Sequence, residues 1–120
     1  MTQLNAKELP DLAKVRGDFF GTLRTSSEQI ARHALLAWDG DNVEGINVNL
    51  KAAQDTLHRI VGAANRVGLH QLGHTARQCE QAIIGHLSGP DIDLAICPGE
   101  LIVELDMFVQ ASNDILQHDA

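Results

Sequence analysis

The chain has no tyrosine, one tryptophan and three phenylalanines among 120 residues. Its core must therefore be built mostly from Leu, Ile, Val and Ala, as in a helical bundle. Two cysteines, Cys79 and Cys97, do not make a disulfide framework, and no Cys-x-x-Cys pair is present. Cations are scarce too. Nine Lys and Arg face sixteen Asp and Glu, for a formal net charge of −7. That excludes the basic footprint of a nucleic-acid binder and disfavours an anionic membrane surface. No apolar run approaches the ~20 residues of a membrane span. The stretch Met1-Thr2-Gln3-Leu4-Asn5-Ala6 has no basic region followed by an apolar run. No signal peptide is therefore expected, and a cytoplasmic location is. A Gly-x-x-x-x-Gly-Lys phosphate loop is missing, and the length leaves no room for a kinase ATP-binding domain. Residues 1–120 read as one domain with a single core.

What is present centres on Leu57 to Gly68 and the helix that follows. Leu57, Ile60, Val61, Ala64 and Val67 recur at the spacing of a buried helical face, and Leu50 and Ala53 extend the stripe backwards. At ~100° per residue, His58 falls on the polar flank with Lys51, Asp55 and Gly62. Gly62 is one turn after His58. A glycine inside a helix costs about 1 kcal/mol relative to alanine. Clearing space so that another protein can approach the ring is one compensation for that cost. Gly68 suits a left-handed helix cap.

The next helix carries the stripe Leu69, Leu72, Ala76, Cys79, Ile83 and Leu87. Glu80 falls at its edge, where a bare carboxylate is costly unless paired. In an antiparallel hairpin around Gly68, His58 lies ten residues before the turn, roughly 15 Å along the axis. Glu80 lies twelve after it, roughly 18 Å. The two side chains can meet across the helix pair.

Elsewhere the pattern is also helical. Leu12, Val15, Phe19, Leu23, Ile30, Ala34 and Trp38 form a stripe weakened by Gly17 and Gly21. Thr25-Ser26-Ser27-Glu28 has the form of a capping box. The preferred reading is one long helix over 18–37, its serines on the solvated face and Trp38 plugging the core, preceded by a short helix that Pro10 can start. Asp39 to Asn42 is a turn cluster. Gly45, Asn47 and Asn49 extend the irregular region, so the motif helix is expected to begin near Asn49. Its partner spans 69–87 and stops at Ser88-Gly89-Pro90. Residues 91–97 connect onward, with room for a helical turn at 92–96. Pro98 is read as the first residue of a last helix, marked by Leu101, Leu105, Phe108 and Ile115 and ending near Gln117. The expected fold is all-α, an antiparallel up-and-down four-helix bundle with a short additional N-terminal helix.

In these residues the chain resembles the histidine-containing phosphotransfer (HPt) domain family. The family motif is a histidine, a glycine four residues on, small residues, a second glycine ten residues after the histidine, then leucine and a distal acid or amide. His58, Gly62, Ala63, Ala64, Gly68, Leu72 and Glu80 stand in that register. The match covers about 57–81. One departure is Val61, where the family usually has lysine. The connection before the motif helix is also longer than is typical.

The resemblance implies a phosphoryl carrier rather than an enzyme. His58 would accept the group from an aspartyl phosphate on a response-regulator receiver domain and pass it to another receiver or back. Glu80 would orient the imidazole. A sensor or hybrid histidine kinase stands upstream. The receiver would bring Mg²⁺, so no cofactor is expected in this chain, and a monomer is expected. Helix geometry nominates Lys51, Gln54, Arg59, Val61, Gly62 and Asn65 for the partner surface. Arg77, on the flank of Glu80, is a candidate to replace the missing lysine's charge. Two other readings remain at this level. One is an interaction module that has lost transfer. The other is a metal-binding bundle using His58 with His70 and His74, which share a helix face.

Overall fold

A computed structural model describes residues 2–90 and 97–118, and side chains from Ala13 onward. Four helices appear, with no strand among the described residues: α1 Thr2–Trp38, α2 Val43–Arg66, α3 His70–Leu87 and α4 Gly99–His118. Each packs against two others, α1 on α2 and α4, and α3 on α2 and α4. Helices α2 and α4 thus occupy opposite corners of a four-helix bundle. None of the described helices is long and apolar enough to cross a membrane.

The first helix departs from the expectation. It runs unbroken from Thr2, so the short N-terminal helix is not a separate element. Gly17 and Gly21 weaken the helix without interrupting it. The Thr25 hydroxyl donates back to the Gly21 carbonyl at 3.4 Å and Ser27 to Arg24 at 3.2 Å. These hydroxyls serve their own helix rather than capping a new one. Ser26 and Ser27 are buried, not solvated. Trp38 is exposed, and so is Val15. Ala37, about five full turns after Phe19, continues the buried stripe, and Trp38 is about 100° further round. The side chain of Leu12 lies outside the described residues.

The motif helix begins earlier than its sequence suggests. Asn42, extended at φ −144°, accepts from the Gly45 N–H at 2.7 Å and caps α2. Asn49 is therefore interior. Its amide donates to the Gly45 carbonyl at 2.8 Å, and its Oδ1 lies 3.0 Å from His33 Nδ1. Ile46, Leu50, Ala53, Thr56, Leu57, Ile60 and Ala64 form its buried face. Pro98 precedes the first residue of α4, and its carbonyl accepts from Ile102. The helical turn expected at 92–96 lies outside the described residues.

The turn between α2 and α3 sets the register of the pair. Gly68 has φ +82°. Its N–H donates to Asn65, while the Leu69 N–H donates to Ala64 at 2.9 Å. This 6→1 and 5→2 pattern is the Schellman motif. Arg16 adds a bond from Nη1 to the Val67 carbonyl at 2.8 Å, tying α1 to the same turn. Gly68→Ala should cost about 1 kcal/mol, because a Cβ is strained at that φ. Urea denaturation of both proteins checks this, and an unchanged midpoint would mean the turn does not need glycine.

Candidate functional site

On α2, Leu57 belongs to the buried face and His58 to the exposed flank. The His58 side chain is 76% exposed, whereas that of Glu80, on α3, is 10% exposed. His58 Nδ1 and Glu80 Oε2 are 2.8 Å apart. An ionised carboxylate only accepts, so Nδ1 carries the proton and donates. In the neutral ring the lone pair is then on Nε2. This hydrogen bond supplies the partner a buried carboxylate requires. Arg77, on the flank of Glu80, makes no ion pair among the described residues.

Gly62 lies one turn from the ring. A Cβ built there would meet only Arg66 Nη1, at 3.6 Å, an ordinary contact. Its φ is not positive. Packing therefore does not require glycine here, and alanine would make a better helix. The open surface beside His58 is the one evident use for it.

His58 borders a hollow of about 570 Å³ between α1 and α2, lined also by Thr22, Ser26, Arg59, Gly62 and Arg66. Arg59 is exposed, and its Nη2 donates to Thr56 Oγ1 at 3.3 Å. Lys51 is ion-paired with Asp55 at 3.2 Å and reaches Gln54 Oε1 at 3.4 Å. Val61 is half-buried and packs on the core. Asn65 Oδ1 lies 3.3 Å from His70 Nδ1. It leans over α3 at Gly73, where a Cβ would come within 2.6 Å of that oxygen. Arg77 is exposed and does not line the hollow. The structure thus gathers His58, Glu80, Arg59 and Gly62, and leaves Arg77 outside.

Sequence reasoning missed Arg66 and the α1 hydroxyls. For Arg66 a signal existed: it stands four residues after Gly62, and long helical side chains lean toward the N-terminus. The hydroxyls of Thr22 and Ser26 carry no comparable sequence signal.

Other reactive groups do not contribute. Burial, and secondarily Glu104, pushes the Cys79 thiol up to about 11. Its Sγ donates to the Glu104 carbonyl at 3.4 Å, on the α4 side of the bundle. Burial likewise raises the Cys97 thiol. Among the described residues no three His, Cys, Asp or Glu side chains gather to hold a metal ion.

A family model described as Hpt domain matches residues 14–114. No significant match to the chain is found among curated proteins or among solved structures.

Proposed function

Because the chain belongs to the Hpt domain family, whose members are histidine phosphotransfer modules of phosphorelays, we propose that His58 is its phospho-acceptor. Nε2 is the attacking atom, and Glu80 is the residue that orients it. The observation that carries this reading is an exposed imidazole fixed through Nδ1 to a buried carboxylate.

The donor is the aspartyl phosphate of a response-regulator receiver domain. The Nε2 lone pair forms the N–P bond as the P–O bond to the aspartate breaks. The carboxylate leaves with its electron pair. No proton need move, since Nδ1 keeps its own. The ring then bears a positive charge opposite Glu80. Transfer between two proteins depends chiefly on in-line positioning and charge neutralisation. The chain is a carrier, and the receiver brings Mg²⁺ and its own catalytic groups. Lys51, Gln54, Arg59, Gly62 and Asn65 form the surface on which the receiver rests. A sensor or hybrid histidine kinase feeds the relay.

Incubation with a phosphorylated receiver domain and Mg²⁺ tests the reading. The label should move to this chain as an acid-labile phosphohistidine, and nitrogen-resolved NMR should place it on Nε2 of His58. No transfer from any receiver tried, or label on Nδ1, would contradict it.

Glu80 gives a finer test. Glu80→Gln keeps an acceptor oxygen and should retain much of the rate. Glu80→Ala frees the ring and should slow transfer roughly tenfold, on the scale of a misplaced catalytic group. The histidine ¹⁵N shifts should show mixed tautomers in Glu80→Ala. An unchanged tautomer would remove the orienting role.

A further inference from the structure

With valine at position 61, the usual cation is missing one turn from the histidine. Val61 is half-buried against the core and itself brings no charge to the ring. A phosphoryl group on Nε2 still brings negative charge to this surface. The nearby cations differ in what already occupies them. Lys51 is paired with Asp55. Arg59 donates from Nη2 to Thr56 Oγ1. Arg66 has no acid within 4.0 Å among the described residues.

The ordinary role for an arginine in the last helical turn is to neutralise the terminal carbonyls. Here three of those carbonyls already have donors. Ala64 receives Val67 and Leu69, Asn65 receives Gly68, and Val67 receives Arg16. The Arg66 side chain instead runs back along α2, and Nη1 sits 3.6 Å from the position a Gly62 Cβ would occupy. Gly62 is one turn from Arg66 and one turn from His58. Residues one turn apart have Cβ atoms about 5–6 Å apart. The guanidinium therefore rests over the glycine that lies one turn from His58, and Arg66 and His58 border the same hollow.

We propose that Arg66 supplies the positive charge that meets the phosphoryl group on His58, taking over from α2's last turn the work the family usually gives to lysine at position 61. The inference rests on the carrier reading above. A guanidinium presents its N–H donors in a planar fork that fits two phosphoryl oxygens at once. The absence of a side chain at Gly62 leaves the path between Arg66 and His58 clear.

Phosphoramidate tests this without a receiver's own charges. Nε2 forms the N–P bond, the P–N bond of phosphoramidate breaks, and ammonia leaves. The phosphoryl group on the intact protein is then titrated by ³¹P NMR in wild type, Arg66→Gln and Arg66→Lys. The guanidinium should hold the phosphoryl pKa lower in wild type than in Arg66→Gln by about half a pH unit, the size of an exposed ion pair. Arg66→Lys should keep most of that difference. Labelling of Arg66→Gln should be roughly threefold slower. Raising the salt to 1 M should narrow the gap, since the site is open to solvent. Identical titrations in wild type and Arg66→Gln would overturn the proposal while leaving His58 as acceptor. A shift in Arg77→Gln but not in Arg66→Gln would overturn it in favour of α3. Wild type that carries no phosphohistidine at position 58 would overturn both readings.

Discussion

His58→Gln should abolish phosphorylation by a receiver while leaving the bundle folded. The side chain is 76% exposed, so its replacement opens no cavity. Glutamine carries its amide N–H₂ one bond further from the backbone than the imidazole Nδ1–H, and its flexible side chain can fold back to donate to Glu80. The buried carboxylate is then not left bare, which is the costly outcome. What glutamine lacks is a nucleophilic lone pair on nitrogen. Helical circular dichroism should be unchanged while acid-labile label falls to background. Among the described residues the other histidines pair with no acid: His33 meets Asn49, His70 meets Asn65, and His86 Nε2 is buried without a hydrogen-bond partner. Residual label on His70 or His74 in this variant would remove the assignment.

Gly62→Gln should slow transfer from a receiver by roughly tenfold or more, the scale of a displaced reacting group. The side chain would stand between His58 and the incoming partner and push Arg66 aside. Phosphoramidate is small enough to pass, so its reaction should slow only as far as loss of Arg66 dictates. The ratio of the two effects separates obstruction from lost charge. Gly62→Ala should fold at least as well as wild type, gaining up to about 1 kcal/mol, because it meets nothing closer than 3.6 Å. Equal receiver transfer rates for Gly62→Gln and wild type would show that the glycine does not serve access.

The α2–α3 hairpin was readable because three local signals agree there. The apolar stripe gives the faces, Gly68 gives the turn, and the rise per residue gives the heights of His58 and Glu80. The start of α2 was not readable in the same way. Glycine and three asparagines over Asn42 to Asn49 look like loop, and propensity alone argues so. Asn42 captures the Gly45 N–H and Asn49 bonds to the Gly45 carbonyl, so a cap and a local side-chain bond override propensity. Ser26 and Ser27 illustrate a second limit. A hydroxyl bonded to its own helix is cheap to bury, as Ser27 is to Arg24, but composition marks serine as surface. Trp38 shows a third. A large apolar side chain looks like core, yet one step of helical rotation puts it outside. Arg66 escaped because a residue two turns from the histidine belongs to no short motif. Only the packing shows that its guanidinium lies over Gly62.

The burial of Glu80 also bears on the energetics of the relay. On the carrier reading, the empty ring is neutral and the loaded ring, phosphorylated at Nε2 and protonated at Nδ1, is a cation. Across the same 2.8 Å contact, a neutral hydrogen bond becomes a charge-assisted one. With Glu80 10% exposed, water screens that attraction weakly. The carboxylate therefore stabilises the loaded state more than the empty one and lowers the group-transfer potential of the phosphohistidine. One buried acid on α3 sets how far the equilibrium between donor and acceptor aspartates tilts toward the carrier.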